Sequence, residues 1–268
     1  LVPVTLELGG KSPVVISDSC DLEETCKRIA IAKSNNGGQL CISPDIIYVP
    51  KHNIEQAASL ILETYKSLFP EITNNADVVP IVNQAHCQRI VDVIKQAQDS
   101  GCDVRASHSV ADLQACVSQD KRLPLHLVIA PAKSTRIMQE EIFGPAAVLQ
   151  PYDDISDVID DINHRDKPLA LYYFGVNQAE LDNVLVNTSS GGVSINDCLM
   201  HAAMHDAPFG GVGASGMGHY HGHEGFKALS HARTVFVAPE HDPRAEWGLL
   251  PPHHDQFKAM MVAQVSAD

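Results

Sequence analysis

The sequence predicts an α/β fold, an open and mostly parallel sheet flanked by helices. Short apolar segments typical of buried strands alternate along the chain with longer amphipathic segments typical of helices. This alternation favours parallel strand pairing, with helices covering both faces of the sheet. Hydrophobic residues make up 44% of the 268 residues, which is enough for a large buried core and favours an ordered chain.

The strand predictions rest on apolar alternation and on short apolar runs. In residues 2–8, valine and leucine alternate with Thr5 and Glu7, which predicts a half-buried strand that ends at the flexible pair Gly9-Gly10. Further strands are predicted at residues 14–16, 46–49, 125–130, 146–149, 170–174, 192–195 and 234–237.

Amphipathic stripes predict the helices between these strands. One helix is expected over residues 22–34, where Asp21 followed by Glu24 resembles a capping box. Others are expected around residues 54–68, around residues 87–97 with Gly101 as the left-handed residue that follows, and from Asn177 onward.

Charge and cysteine content exclude several classes of protein. The formal net charge of -14 repels phosphate backbones, so no nucleic-acid partner is expected. Seven cysteines without a repeated spacing or a CxxC pair argue against a secreted disulfide framework and a structural zinc site. We therefore expect a reducing, cytoplasmic location. No apolar run approaches the roughly 20 residues that span a bilayer, so no membrane association is expected.

Cys41 differs from the other cysteines in its setting. It ends a glycine-containing run, residues 36–41, which is not part of a periodic helix or strand. A cysteine on such a turn can face a substrate and lie close to backbone N–H groups. The alternative is that a cysteine acts as a small buried hydrophobe, which we expect for most of the others. Those are Cys20, Cys26, Cys87, Cys102 and Cys116.

Two acidic residues stand at strand ends, where α/β proteins place active groups. Glu7 lies at the end of an apolar strand, and a carboxylate beside a thiol could activate a water molecule. Taken alone, it could equally be a solvated surface charge. Glu141 precedes Phe143 and the pair Gly144-Pro145, and alone these would be a surface charge and a core ring.

Together, four ordered segments closely resemble the motifs of the aldehyde dehydrogenase superfamily. They are E-L-G-G-K at residues 7–11, N-x-G-Q-x-C at residues 36–41, E-I-F-G-P at residues 141–145 and P-F-G-G-x-G-x-S-G at residues 208–216. Glu7 precedes Cys41 by 34 positions, the spacing found in that superfamily. The resemblance covers nearly the whole chain.

The resemblance implies chemistry for the first two motifs. Cys41 would be the nucleophile that attacks an aldehyde, and Glu7 the base that later activates water. The thiolate must form near neutral pH, so the pKa of Cys41 should be lowered or a base must assist. The Cys41 backbone N–H would stabilise the oxyanion.

The resemblance also implies the binding residues. Glu141 would bind the nicotinamide ribose of NAD or NADP, and Phe143 would pack near the nicotinamide. Asn196 and His201 would line the substrate channel. The family needs no metal. Its members form dimers through terminal strands, so the predicted strand at residues 234–237 could join a partner's sheet.

A finer resemblance, to the class 3 branch and especially to coniferyl aldehyde dehydrogenases, rests on residues 217–222, 225–226 and 230–231 and on the tail at residues 250–252 near Phe257. It implies an aromatic or medium-chain aldehyde as substrate. The resulting domain prediction is a catalytic domain at residues 1–238 and a C-terminal tail at residues 239–268.

E-L-G-G-K lies at residues 7–11, near the start of the sequence, whereas the dinucleotide-binding half of the family precedes this motif. We therefore expect that the N-terminal dinucleotide-binding domain is missing and that this chain alone binds the cofactor poorly. The alternatives are a truncated, catalytically incompetent fragment, a thioester or ester hydrolase that needs no cofactor, and a metal-binding module built on the C-terminal histidines His219, His221 and His223.

Overall fold

A seven-stranded sheet forms the centre of the computed structural model, which describes residues 2–109, 112–244, 246–251, 253 and 255–266. A separate two-stranded ribbon pairs β1 (Leu6–Glu7) with β9 (Gly216–Met217). The strands of the large sheet are β2 (Pro13–Ile16), β3 (Ile46–Pro50), β4 (Asp103–Ala106), β5 (His126–Ile129), β6 (Ala146–Tyr152), β7 (Ala170–Phe174) and β8 (Gly192–Ile195).

The order of the large sheet is β4-β5-β6-β3-β2-β7-β8, with β4 antiparallel to β5 and every other pairing parallel. The prediction of a mostly parallel sheet is confirmed. The strands predicted at residues 170–174 and 192–195 have the predicted bounds. β4 was not predicted, because its residues are only partly buried at the sheet edge and include two charged side chains.

The connections between strands are helical. The helices are α1 (Leu22–Ser34), α2 (Ile54–Leu68), α3 (Gln84–Asp99), α4 (Leu113–Ser118), α5 (Arg136–Gln139), α6 (Ile155–Asn163), α7 (Gln178–Asn187), α8 (Gly222–Ala228) and α9 (Asp255–Val265). Short 3₁₀ segments lie at Asn35–Gly38, Lys51–Asn53, Met200–Ala203 and Gly213–Ser215.

The predicted helix boundaries have the expected local chemistry. The Asp21 carboxylate accepts a hydrogen bond of 3.1 Å from the Glu24 N–H and so caps α1. The Asn177 side chain accepts one of 3.3 Å from the Glu180 N–H at the start of α7. Gly101 has a φ of +80° after α3, the left-handed conformation that ends many helices.

Each face of the sheet packs into its own apolar core. Alternate residues of β2 face opposite sides, with Val15 in the core formed with α3, α6 and α7, and Val14 in the core formed with α1 and α2. Both side chains are fully buried, as expected for a parallel sheet covered by helices on both faces.

The cysteines predicted as core residues divide into two groups. Cys26, Cys87 and Cys116 are buried, whereas Cys20 and Cys102 are only half-buried. All seven cysteines are free thiols, so no disulfide contributes to the fold.

Two strand predictions are wrong. Residues 2–8 form only the two-residue strand β1, and its apolar side chains are exposed, with Leu8 at 51%. The ladder with β9 extends over two residue pairs, too few to order the whole segment. Residues 234–237 form no strand, and Phe236 is 81% exposed, because no described strand lies beside them to complete a ladder.

The chain divides into two units, Leu1–Leu229 and Ser230–Asp268. The first contains both sheets and helices α1 to α8, and the second contains α9. The sequence-based division after residue 238 stays a prediction. Leu1, the first residue of the predicted catalytic domain, and Pro252 of the tail motif lie outside the described residues. Among the helices of the described part, none is long and apolar enough to cross a membrane.

A buried ion pair links the segment before β2 to two distant segments. The Lys11 ammonium binds the Asp45 carboxylate and donates to the Ile137 carbonyl at 2.7 Å and the Glu140 carbonyl at 2.8 Å. The other Asp45 oxygen accepts from the Ile142 N–H at 2.9 Å. The side chains of Lys11 and Asp45 are only 10% and 2% exposed, so this network is largely shielded from water.

Lys11→Met should destabilise the fold by about 3–5 kcal/mol, because it leaves the Asp45 carboxylate buried without its cation. Urea denaturation measures the free energy of unfolding. The matched control is Lys51→Met, which breaks the exposed ion pair with Asp153 and should change stability little. Equal losses in the two variants would contradict the structural role of the Lys11 pair.

Candidate functional site

Cys41 lies on a loop whose left-handed backbone is formed by one asparagine and two glycines. Asn36, Gly37 and Gly38 have φ values of 51°, 61° and 72°, three successive left-handed residues after α1. A Cβ on Gly38 would lie 2.3 Å from the Gly144 carbonyl oxygen. Backbone therefore packs directly on backbone, and the chain turns sharply just before Cys41.

The glutamine of the same motif anchors this loop. The Gln39 amide donates to the Asn36 carbonyl at 3.0 Å and the Pro80 carbonyl at 3.2 Å, and its oxygen accepts from the Val82 N–H at 2.9 Å. Both ends of the side chain are thus bonded to backbone, which fixes the turn that presents Cys41.

The Cys41 thiol is half-buried and meets the Glu7 carboxylate. Burial raises the pKa of Cys41 to about 12, and hydrogen bonding and charge repulsion from Glu7 add to the increase, with a smaller contribution from Glu141. A lowered pKa, one of the two expectations for this thiol, is not found. The other expectation, assistance by Glu7 as a base, stays a prediction, and Glu7 is close enough to the thiol to interact with it.

The glycine-rich motif at residues 208–216 supports the strand that carries Glu7. Glu7 pairs with Gly216, and the Leu8 N–H donates to the Ser215 carbonyl at 3.0 Å. A Cβ on Gly216 would lie 2.2 Å from the Leu6 carbonyl oxygen. This predicted loop is therefore a backbone support for Glu7, and its last residue, Gly216, begins β9.

Glu141 lies against the backbone of the first motif. A Cβ on Gly9 would lie 2.3 Å from a Glu141 carboxylate oxygen. Burial raises the pKa of Glu141 to about 7, the Asp45 charge adds to the increase, and the Gly10 N–H partly offsets it by donating to the carboxylate. Arg89 holds this loop by donating to the Glu141 carbonyl at 3.3 Å and the Ile142 carbonyl at 2.6 Å.

Phe143 follows in a strained backbone conformation. Its φ is +48°, in the left-handed region that a bulky side chain rarely adopts, and its ring is 37% exposed. The loop thus presents a carboxylate and an apolar ring side by side. A carboxylate accepts from sugar hydroxyls and a ring packs on a planar base, so these residues fit the nicotinamide-ribose end of a dinucleotide.

A cleft of about 1000 Å³ borders the Glu141 side of the site. It is lined by Gly9, Gly10 and Glu141 and by charged side chains from the opposite wall, among them Lys133, Asp160 and Lys167. Cys41 and Glu7 are not among its lining residues. The open space therefore lies on the predicted cofactor side, and the thiol lies apart from it.

The two predicted substrate-channel residues have different surroundings. The Asn196 amide is bonded at both ends to Gly175, accepting from its N–H at 2.8 Å and donating to its carbonyl at 3.1 Å. It therefore ties two backbone segments together. His201 bonds Ser194 through Nδ1 at 2.8 Å, and burial lowers its pKa. A substrate role for either residue stays a prediction.

An aromatic cluster, not predicted from the sequence, surrounds His201. The Phe209 ring lies between His201, with ring centroids 5.9 Å apart, and His221, with ring centroids 5.6 Å apart. Tyr172 lies 5.9 Å from His201, and Tyr220 lies 4.6 Å from His221. The pKa values of both tyrosines are raised, first by burial and to a smaller extent by Cys41, so this cluster flanks the thiol.

The C-terminal histidines do not converge with other metal ligands. Within the described part of the chain, no group of three or more His, Cys, Asp and Glu side chains could hold a metal ion. His219 instead lies 3.7 Å from the Glu224 carboxylate, an ion pair only when the imidazole is protonated. The structure gives the metal-binding alternative no support.

Comparison with known proteins agrees with this arrangement. A sequence profile described as "Aldehyde dehydrogenase family" matches residues 1–235. A "Probable coniferyl aldehyde dehydrogenase" from Pseudomonas aeruginosa is 44% identical over 239 residues, which are 89% of this chain and 49% of that protein. The "Aldehyde dehydrogenase, dimeric NADP-preferring" of Canis lupus familiaris is 37% identical over 242 residues, which are 89% of this chain and 51% of that protein.

A solved structure of Staphylococcus aureus AldH in a substrate-bound state superimposes with a TM-score of 0.85 at 32% identity. The match covers 98% of this chain and 55% of that one. The chain therefore spans about half the length of the curated relatives it matches.

Glu141→Gln should remove a pH dependence of stability. Because the folded-state pKa of Glu141 is raised from 4.5 to about 7, its contribution to stability is present below the unfolded value and is lost as pH rises through about 7. Urea denaturation at several pH values between 4.5 and about 7 measures how the free energy of unfolding changes with pH. The neighbouring Glu140, whose pKa is lowered by Arg136, is the control, since its contribution changes only below about pH 4.5 and Glu140→Gln should leave the slope in this range unchanged. A wild-type slope retained in Glu141→Gln would contradict the assignment.

Proposed function

The chain belongs to the aldehyde dehydrogenase family, and from this membership we propose that it supplies the nucleophile and the base of an NAD(P)-dependent aldehyde oxidation. The observation that carries the proposal is the meeting of the Cys41 thiol with the Glu7 carboxylate. A thiol nucleophile with a carboxylate base is the arrangement that covalent acyl chemistry requires.

The first step is activation of the thiol. With a pKa of about 12, Cys41 is protonated at neutral pH, so the sulfur attacks the aldehyde carbon as Glu7 takes its proton. A carbon–sulfur bond forms, and the carbonyl electrons move to oxygen to give a thiohemiacetal. The Cys41 N–H donates to that oxygen as its charge develops.

The second step converts the thiohemiacetal to a thioester on Cys41. A bound NAD or NADP would supply the hydride acceptor for this oxidation. Glu141 would hold the ribose hydroxyls and Phe143 would pack near the nicotinamide, on the side of the site where the cleft opens. The dog relative is named NADP-preferring, and the solved structure of AldC from Pseudomonas syringae is a complex with NAD+. Either cofactor is therefore consistent with the family.

The third step is hydrolysis of the thioester. Glu7 first releases to solvent the proton that it took from the thiol, and it then removes a proton from water, so that the resulting hydroxide attacks the thioester carbon and the carbon–sulfur bond breaks. The carboxylic acid leaves and the Cys41 sulfur recovers a proton. One carboxylate thus serves both proton transfers, which its position beside the sulfur permits.

We propose an aromatic or medium-chain aldehyde as the substrate. The aromatic cluster formed by Tyr172, His201, Phe209, Tyr220 and His221 flanks Cys41 and offers ring faces against which an aromatic aldehyde can pack. The relatives named coniferyl aldehyde dehydrogenase, at 37% to 44% identity, support this class.

A homodimer is the proposed assembly, supported by the relative that is named dimeric. A cytoplasmic location is proposed because all seven cysteines are free thiols, which a reducing compartment preserves.

Cys41→Ala should abolish aldehyde oxidation by the protein that carries these residues, because no other group would form the covalent intermediate. The measurement is NADH or NADPH formation at 340 nm. The control is Cys26→Ala, since Cys26 is fully buried on α1 and should leave turnover unchanged after correction for folded protein. Turnover that survives in Cys41→Ala would overturn the nucleophile assignment.

Glu7→Gln should slow thioester hydrolysis more than hydride transfer, because loss of the Glu7 charge lowers the Cys41 pKa and makes the thiolate easier to form without that base, whereas the water molecule has no substitute base. Removing a general base costs about 10² to 10⁴ in rate, so the steady state should fall while a stopped-flow burst of about one NADH per site remains. A lost burst would contradict a mainly hydrolytic role. Glu23→Gln, an acidic residue in the first turn of α1, is the control for the charge change.

A further inference from the structure

The Glu7 carboxylate makes a hydrogen bond that the oxidation scheme does not use. The Tyr220 hydroxyl donates to Glu7 Oε2 at 3.2 Å, across 213 positions of sequence. A tyrosine that is distant in the sequence therefore forms a hydrogen bond with the proposed base. The bond involves one of the two carboxylate oxygens.

Glu7 needs such a partner because its own strand holds it weakly. β1 is two residues long, and both of its side chains are exposed. Its backbone is paired with β9, but that pairing does not fix the rotamer of a glutamate side chain. A hydrogen bond to one carboxylate oxygen restricts the rotation that the strand leaves free.

Tyr220, in contrast, is firmly held. Its N–H and carbonyl both pair with Phe209, each at 2.8 Å. The Phe209 ring packs edge-on at 5.8 Å and the His221 ring edge-on at 4.6 Å. A Cβ on Gly225 would lie 3.2 Å from the Tyr220 backbone, so α8 packs closely behind it. The hydroxyl is thus a donor at a fixed place.

The ribbon brings the two residues together. Tyr220 follows β9 by three positions, and Gly218 between them has a φ of +74°, which turns the chain. Glu7 lies on the paired strand, opposite Gly216. One short ribbon thus carries the base on one strand and the donor just beyond the end of the other.

We propose that Tyr220 is a positioning residue, which binds Glu7 Oε2 and holds the carboxylate beside the Cys41 sulfur. The proposal rests on the proposed role of Glu7 as base. Tyr220 keeps its proton throughout and takes part in no bond making or breaking. Tyr220→Phe removes the hydroxyl and keeps the ring packing, so it separates positioning from a purely structural role.

The test measures how fast iodoacetamide alkylates Cys41, followed by peptide mass spectrometry so that the seven cysteines are resolved. The rate is recorded in the 268-residue chain from about pH 7 to about pH 10. In this range the fraction of Cys41 present as thiolate limits the rate of alkylation. The charged groups that face the thiol are Glu7 and Glu141, and Glu141 is unchanged in every variant.

Glu7→Gln removes a like charge and should lower the Cys41 pKa by about one unit, which raises the thiolate fraction about tenfold. The lower nucleophilicity of a less basic thiolate reduces the gain to about threefold in rate. Tyr220→Phe should give part of this increase, about twofold, because the carboxylate moves away from the sulfur. The double variant should match Glu7→Gln alone.

The matched control is Tyr173→Phe. Tyr173 also donates to a glutamate, Glu180, at 3.0 Å, but its side chain lies in the core on the other face of the sheet from the one that Cys41 contacts. Its alkylation rate should equal that of wild type. Circular dichroism confirms that each variant is folded.

Several results would overturn the positioning role. An unchanged or slower rate in Tyr220→Phe, a Tyr220→Phe effect that persists in the Glu7→Gln background, or an equal effect in Tyr173→Phe would each do so. An unchanged rate in Glu7→Gln itself would instead contradict the Glu7–Cys41 contact. Failure of the aldehyde oxidation proposal appears separately, as turnover that survives in Cys41→Ala.

Discussion

The ion pair between Lys11 and Asp45 is the constraint on which the site depends. Lys11 belongs to the motif that carries Glu7, Asp45 lies four positions after Cys41, and the carbonyls that Lys11 also binds precede Glu141. One ammonium group therefore joins the three motifs. A buried pair of this kind adds little net stability compared with apolar packing, but it permits few alternative arrangements of its partners.

A second buried cation lies under the same loops. Lys33 donates to the Pro44 carbonyl at 2.8 Å and to the Ser43 hydroxyl at 3.2 Å, and burial lowers its pKa to about 8. The backbone on both sides of Cys41 is thus fixed, by Gln39 before it and by Lys33 after it. This rigid support explains why the nucleophile needs no regular secondary structure of its own.

The sequence was most informative where local chemistry decides the structure. Strand β7 is apolar throughout and has its predicted bounds, and α1 begins after Asp21 because that carboxylate caps it. Residues 234–237 are equally apolar, yet they form no strand, because a strand also needs a neighbour. Pattern alone does not report that neighbour. The motif resemblance predicts the pairing of Cys41 with Glu7. The contact of Tyr220 with Glu7 joins residues 213 positions apart, and that of Arg89 with Glu141 joins residues 52 positions apart. Contacts between such distant residues leave no periodic pattern in the sequence.

The two-residue ladder between β1 and β9 has a dynamic consequence. A ribbon with so few backbone hydrogen bonds opens at low cost, on the fast timescales of loops and termini, without disturbing the sheet. The backbone around Cys41 is therefore rigid, whereas the backbone that carries Glu7 is mobile, and Tyr220 holds the carboxylate only while the ribbon is closed. In the proposed reaction, opening of the ribbon frees the carboxylate to turn from the sulfur toward a water molecule, so local opening, more than the stability of the whole domain, sets how often hydrolysis succeeds.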